Sequence, residues 1–248
     1  MCDIMYLGDH CANTILISHI LNKKDKLLFM LGGFRMDCIT KYLKEEKLEE
    51  IYDKQYLKAY HDTNVPLTFE SSEEVFTHQT ELEYCITNTK YNFNFHHDFK
   101  YNKATNVVSN YNFIVNQYNL KIKNTLEMFK NNNPILFINF LWEHEYMYKQ
   151  LETYVNDMKE VLQKYIPHKK FYILLFTTNQ TIEIKSQDVF LLKLSHFTND
   201  WPCKKPNQNY QSYKEIYKKF YKVVEKLKLT EHFPDFKNTY YHKQVRPS

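Results

Sequence analysis

The apolar positions along the chain follow two periods, one typical of buried strands and one typical of amphipathic helices. Four short runs are almost continuously apolar and predict buried strands, at residues 4–7, 135–140, 171–176 and 189–194. Residues 91–95 alternate apolar and polar side chains, which predicts a strand with one buried face. A further apolar run at residues 26–31 indicates a strand or a buried extended segment.

Helical patterns separate these strands, because apolar residues recur there at spacings of three and four. The predicted helices cover residues 12–20, 36–43, 111–129, 147–162 and 210–227. Residues 51–90 have mixed polarity, and we expect a helix or two and irregular structure in that region.

The order of these elements predicts the fold class. Near-continuous apolar strands that alternate with amphipathic helices are typical of a mostly parallel sheet with helices on both faces. No internal repeat or low-complexity linker divides the chain. We therefore expect a single α/β domain over residues 1–232, followed by a polar, basic C-terminal tail at residues 233–248.

Composition and charge argue against nucleic acids and membranes as partners of this protein. Hydrophobic residues make up 43% of the 248 residues and charged residues 25%, as in a globular protein. The formal net charge is only +4, with lysines and glutamates mixed along the chain, so we expect no nucleic acid as a partner. No apolar run approaches the roughly 18 residues that a membrane span needs, and the first residues do not resemble a signal peptide. We therefore expect no membrane partner, and the pattern makes no prediction of oligomeric state.

The cysteines favour a reducing compartment. They are odd in number, scattered and never spaced as Cys-x-x-Cys, at positions Cys2, Cys11, Cys38, Cys85 and Cys203. Neither a disulfide framework nor a thiolate zinc site is indicated, so we expect a cytoplasmic protein. The 21 tyrosines and 18 phenylalanines against three glycines indicate an AT-rich genome, such as that of a parasite or a large DNA virus.

The step from the first strand into the first predicted helix is a favourable place for a reactive cysteine. Gly8 can adopt backbone angles that other residues resist, and Asp9 is a good N-cap, so Cys11 falls in the first helical turn. The positive end of the helix dipole favours the thiolate there, and His10 is its neighbour. The alternative interpretation is that Cys11 is a small buried hydrophobe between helix and strand.

Polar side chains follow several predicted strands at their carboxyl ends. They are Asp9, His10 and Cys11 after the first strand, His96, His97 and Asp98 after residues 91–95, His144 with its flanking glutamates after residues 135–140, and His196 after residues 189–194. In parallel sheets ligands bind beyond the carboxyl ends of the strands. If these strands are parallel, the four groups share one edge of the sheet.

These residue types suit nucleophilic catalysis by Cys11. A thiol needs a base to take its proton, and the base needs a partner that holds its tautomer. The candidates are His97 or His96 as the base, with Asp98, Asp9 or Asp37 as the partner. The alternative is that the His-His-Asp group is loop polarity or a helix cap. A metal site is the rival chemistry, but no His-x-His or His-Glu-x-x-His spacing occurs, so we expect no metal and no other cofactor.

Three short motifs resemble those of a papain-like cysteine peptidase family that was first catalogued as a domain of unknown function. Residues 6–11 are similar to its Leu-Gly-x-x-Cys opening, and residues 95–99 are similar to its His-Asp-Phe element. Residues 33–37 lie where the family has Pro-Phe-Asp-Trp, but Arg35 and Met36 stand in place of the Asp-Trp pair. The motifs occur in the family's order, so the resemblance runs through most of the chain.

The resemblance implies that Cys11 is the nucleophile and His97 the base, with Asp37 in place of the missing carboxylate. It also implies a papain-like α+β fold, whereas the strand and helix pattern favours α/β. The expected function is a cysteine-dependent hydrolase or acyl transferase acting on a peptide, amide or ester. The alternative is a catalytically silent interaction protein, viral in the case of a viral genome, that binds a host or other partner protein. The altered Arg35-Met36 element favours a protein without catalytic activity. The presence of Cys11 and His97 favours an active enzyme.

Overall fold

The computed structural model of the protein describes residues 2–8, 27–29, 34–71, 85–141, 149–195 and 206–230. In chain order the elements are β1 (Asp3–Tyr6), α1 (Met36–Glu45), a 3-10 helix (Leu48–Tyr52), β2 (Leu57–Ala59), β3 (Thr68–Phe69), β4 (Ile86–Asn88), β5 (Phe93–Phe95), β6 (Tyr101–Asn102), β7 (Val107–Val108), α2 (Tyr111–Lys130), β8 (Ile135–Phe140), α3 (Leu151–Tyr165), β9 (Phe171–Thr177), β10 (Val189–Lys193) and α4 (Pro206–Lys226). The helix predicted over residues 12–20 and the tail at residues 233–248 lie outside the described residues.

The largest sheet has four strands in the order β1-β8-β9-β10, and every neighbouring pair in it is parallel. All six residues of β8 and all seven of β9 are buried, as continuous apolar runs predict for the centre of a parallel sheet. The prediction of a mostly parallel sheet from these four runs is confirmed.

Alternate residues of this sheet enter two separate apolar cores. Met5, Phe137 and Ile173 point to the face that packs against α1 and α3, in the larger core. Ile138 and Leu174 point to the opposite face, which is covered by apolar residues of α4. Because side chains alternate along a strand, a continuously apolar run can fill both cores. The sheet therefore carries helices on both faces.

The helices agree with the predicted periodicity. α1, α2 and α4 lie close to the predicted ranges 36–43, 111–129 and 210–227. α3 begins at Leu151, and the residues before it at 142–148 are outside the described part of the chain. Among the described helices, none is long and apolar enough to cross a membrane.

The strand predicted at residues 91–95 is present as β5, but it does not join the parallel sheet, so the condition for a shared edge is not met for this strand. β5 pairs antiparallel with β4, and β4 pairs antiparallel with β2, in a separate three-stranded sheet. Only four residues connect β4 to β5, and a connection of that length permits an antiparallel hairpin but no parallel crossover. Asn92 in this turn has a positive φ of 55°.

The expectation of a helix or two within residues 51–90 is not tested at residues 72–84, which lie outside the described residues. Beyond the 3-10 helix, which ends at Tyr52, the described residues form the short strands β2, β3 and β4. β3 belongs to a third small sheet with the order β3-β7-β6. Strands of two or three residues leave too short a pattern for periodicity to detect, and they are stabilised by cross-strand pairing.

Substitution of Gly8 tests how closely the turn after β1 packs against the backbone of Phe34. Its φ is +65°, and a Cβ at this position would lie 2.1 Å from the Phe34 carbonyl oxygen. Gly8→Ala should therefore cost more than about 2 kcal/mol of unfolding free energy in denaturant titration, because a strained backbone angle is combined with a collision against backbone.

Asn92→Ala is the matched control, because Asn92 also has a positive φ but lies exposed in the hairpin turn. This variant should lose only about 1 kcal/mol of unfolding free energy, because alanine in the left-handed conformation is strained but meets no collision. Equal losses in the two variants would show that Phe34 yields to the added methyl group.

Candidate functional site

The end of β1 is fixed by a buried amide. The Leu7 N–H donates to the Ile138 carbonyl at 2.8 Å, which extends the parallel ladder by one residue beyond β1. Asn139 Nδ2 then donates to the Leu7 carbonyl, from a side chain that is 1% exposed. A buried primary amide in an otherwise apolar strand needs such a partner. Asn139 thus determines how the chain leaves the sheet immediately before Gly8.

The turn at Gly8 packs directly against Phe34. The Phe34 ring is fully buried, and its centroid lies 4.7 Å from that of Phe93 and 5.7 Å from that of Phe95. One aromatic side chain therefore links the exit of β1 to the hairpin whose second strand ends at Phe95. Cys11, with Asp9 and His10, follows three residues after Gly8 and lies outside the described residues.

His96 and His97 follow β5, and both are half-buried. The His96 Nδ1 atom lies 3.5 Å from the Cys85 Sγ atom, across the hairpin from it. The Nδ1 atom of His97 is buried, and the two imidazole centroids are 6.1 Å apart. The adjacent histidines therefore have different surroundings, since His96 contacts a thiol.

The contact between Cys85 and His96 was missed by the sequence reasoning. It follows from the hairpin register, in which Ile86 is paired with Phe95, so that the residues just outside this pair face each other. An apolar run at residues 85–86 and the alternating run at 91–95, joined by a short polar turn, were the available signal.

Asp98 is directed toward α2. Its Oδ2 atom accepts a hydrogen bond from the Tyr118 hydroxyl at 3.2 Å, and its Oδ1 atom lies 3.9 Å from Lys121 Nζ. The Asp98 carbonyl accepts a hydrogen bond from Asn110 Nδ2 at 2.9 Å. Burial, together with the charge of Asp98, raises the pKa of Tyr118 well above its usual value. Tyr118 therefore remains a hydroxyl donor to this carboxylate.

Asp37 lies in the first turn of α1 and is bound by Arg35. The Arg35 guanidinium donates from Nε to Oδ1 at 3.0 Å and from Nη2 to Oδ2, a bidentate arrangement. Partial burial acts to raise the pKa of Asp37, but the hydrogen bond and charge of Arg35 outweigh it and lower the pKa below its usual value. Arg35, which departs from the family element, thus binds the carboxylate of Asp37.

Cys38 and Cys85 are buried and are poor nucleophiles. Burial raises the pKa of Cys38 to about 11, with a further contribution from the charge of Asp37. Burial likewise raises the pKa of Cys85 to about 11. A thiol with such a pKa is almost entirely protonated at neutral pH, and the thiolate is the reactive form. Neither residue is placed to act as Cys11 is predicted to act.

The carboxyl ends of β1, β8 and β10 meet at one edge of the central sheet, because the strands are parallel. His144 and His196 follow β8 and β10 in the sequence but are outside the described residues. His96, His97 and Asp98 come from the hairpin instead, which contacts this region through Phe34. Within the described ranges, no group of three or more His, Cys, Asp or Glu residues could hold a metal ion.

Residues 3–181 match the family model described as "Putative papain-like cysteine peptidase (DUF1796)". The chain belongs to this family. The family match begins at β1, includes the Gly8 turn and the His96–Asp98 segment, and ends after β9, whereas α4 lies beyond it. The resemblance found in the three short motifs is thereby confirmed. No curated protein and no solved structure has significant similarity to this family member.

Cys38 and Cys85 should resist alkylation in the native protein. Because burial raises their pKa values to about 11, both should stay unmodified by iodoacetamide at neutral pH and begin to react only toward pH 11. Because unfolded thiols lose their protons first, the same shifts should lower the stability of the fold as the pH rises above about 9. Peptide mass spectrometry measures the modification.

The control is the same reaction in denaturant, where both cysteines should react at the rate of a free thiol. If Cys85 reacted equally fast in native and denatured protein at neutral pH, its burial against His96 would be refuted.

Proposed function

We propose that this family member is a cysteine-dependent hydrolase or acyl transferase in which Cys11 is the nucleophile and His97 the general base. The observation that carries the proposal is the contact of Phe34 with both Gly8 and Phe95. Gly8 precedes Cys11 by three residues, a span of at most about 11 Å, and Phe95 precedes His97 by two. The family name supports a peptidase among the possible reactions.

The proposed chemistry is acyl transfer through a thioester. The His97 imidazole takes the thiol proton of Cys11, and the sulfur attacks the carbonyl carbon of a peptide, amide or ester. The imidazolium returns the proton to the leaving amine or alcohol as the carbon–heteroatom bond breaks. Water then hydrolyses the thioester, or a second nucleophile accepts the acyl group.

His97 is preferred to His96 as the base because the two histidines have different neighbours. His96 Nδ1 lies against the Cys85 thiol, whereas the resemblance to the family element assigns the base to the histidine directly before Asp98. The bond between Arg35 and Asp37 engages both carboxylate oxygens, so Asp37 is assigned a secondary role. Gly8, Asp9, His10, His144 and His196 are proposed as supporting residues at the edge of the central sheet.

A reducing compartment is proposed for this protein. The five cysteines are scattered along the sequence and never spaced as Cys-x-x-Cys, and a thiol nucleophile requires reducing conditions. We therefore assign the activity to the cytoplasm, with a peptide or a small amide or ester as the substrate.

Alkylation of Cys11 tests the proposal directly. If Cys11 lies at the start of a helix and beside a base, as we propose, it should be modified well below about pH 8, and at least tenfold faster than Cys203. Rates at each cysteine are followed by mass spectrometry across pH. Equal rates at Cys11 and Cys203 would contradict catalysis and favour the interaction protein that lacks activity.

The two histidines provide a matched pair of variants. His97→Ala should abolish the enhanced reactivity of Cys11, because the imidazole no longer stabilises the thiolate, whereas His96→Ala should largely preserve it. Circular dichroism checks that both variants are folded. The reverse result would assign the base to His96.

A further inference from the structure

The segment that carries His97 is held from one side by α2. Three buried residues form this contact and are named here the α2 clamp: Tyr118 and Lys121 of α2, and Asn110 at its N-cap. We propose that the α2 clamp positions the His97 imidazole by fixing Asp98, and that Asp98 is an anchor for this segment instead of the orienting partner of the base. The proposal rests on the proposed function of His97.

Asn110 holds the backbone on both sides of Phe99. Its Nδ2 atom donates to the Asp98 carbonyl at 2.9 Å, and its Oδ1 atom accepts from the Lys100 N–H at 2.7 Å. The Ser109 N–H donates to the Lys100 carbonyl at 3.0 Å, which adds a third bond. Asn110 is fully buried, so breaking these hydrogen bonds would leave buried polar groups with neither a protein nor a water partner. The chain is therefore fixed one residue after His97.

Tyr118 and Lys121 hold the Asp98 side chain. The Tyr118 hydroxyl and the Lys121 ammonium approach different carboxylate oxygens, at 3.2 and 3.9 Å. Lys121 Nζ also lies 4.1 Å from the centroid of the Tyr118 ring. The exposed fractions of the Asp98 and Lys121 side chains are only 14% and 11%, so water screens this pair weakly. Moving the shielded Asp98 carboxylate away from Tyr118 and Lys121 would leave its charge uncompensated, and both of these partners belong to α2.

The consequence for His97 follows from chain geometry. The Cα atoms of adjacent residues are about 3.8 Å apart, so a displacement of Asp98 moves His97 with it. A base must lie within hydrogen-bond reach of the proton it takes, and an error of about 1 Å in placement can cost a hundredfold in rate. The α2 clamp thus has an effect on reactivity without touching substrate.

Tyr118→Phe tests the positioning role, with Tyr111→Phe as its matched control. Tyr111 lies on the same helix, and its hydroxyl donates at 2.9 Å to the Tyr52 carbonyl, away from Asp98. Both variants lose one tyrosine hydroxyl and one hydrogen bond, and Tyr118→Phe should lose more stability because Tyr118 is fully buried and donates to a carboxylate. Only Tyr118→Phe should reduce the alkylation rate of Cys11, by about tenfold or more, and shift its pH profile. It alone should also shift the NMR titration curve of the His97 imidazole.

Asp98→Asn separates an anchor from a catalytic partner. The amide oxygen can still accept from the Tyr118 hydroxyl, but the ion pair with Lys121 is lost, so with Asp98 as an anchor the folded fraction should lose no more Cys11 reactivity than Tyr118→Phe does. A loss as large as that of His97→Ala would show that the carboxylate charge acts on the base and would overturn the proposal. Equal effects of Tyr118→Phe and Tyr111→Phe on the His97 titration would overturn it as well.

The reactivity of Cys11 and the positioning of His97 by the α2 clamp are tested by separate measurements. If Cys11 of the unsubstituted protein reacts no faster than Cys203, the proposed function is refuted. The His97 titration in Tyr118→Phe and Tyr111→Phe still decides whether the α2 clamp holds this histidine, because that measurement does not involve Cys11.

Discussion

The close approach of Gly8 to the backbone of Phe34 is the contact on which the candidate site depends. No side chain fits between the two segments, since a Cβ on Gly8 would lie 2.1 Å from the Phe34 carbonyl oxygen. This proximity lets the Phe34 ring reach the hairpin core while its backbone touches the end of β1. The central sheet and the small hairpin sheet are thereby joined through a buried contact within their shared core. A residue with a Cβ at position 8 would separate them.

Buried polar groups, each with a defined partner, fix the segments on both sides of this contact. Asn139 holds the Leu7 carbonyl on the central sheet, and Asn110 holds the chain on both sides of Phe99. Burial of such amides is unfavourable unless their hydrogen bonds form, and these bonds form in only one geometry. They therefore give the two segments a single arrangement, which apolar packing alone would enforce less strictly. The same logic applies to Asp98, whose carboxylate is directed to α2 by Tyr118 and Lys121.

Burial distinguishes the cysteines chemically. Cys38 and Cys85 lie in apolar surroundings that raise their pKa values to about 11, so both are protonated thiols at neutral pH. Cys85 illustrates the point, because it has an imidazole 3.5 Å away and still carries a raised pKa. Proximity to a histidine is therefore insufficient to produce a thiolate where desolvation opposes the charge. A position at the start of a helix, as predicted for Cys11, differs in this respect because the helix dipole favours the anion.

The sequence by itself determined the elements whose pattern is local and long. The four apolar runs, the helices around α1, α2, α3 and α4, and the family membership could all be read from it. Only the tertiary structure decided where β5 pairs, that Cys85 faces His96, and that Asp98 is directed to α2. Periodicity reports which side of a strand is buried, but it carries no information about the partner strand. Pairing and side-chain partners are set by contacts between residues distant in sequence, and these exist only once the chain has packed.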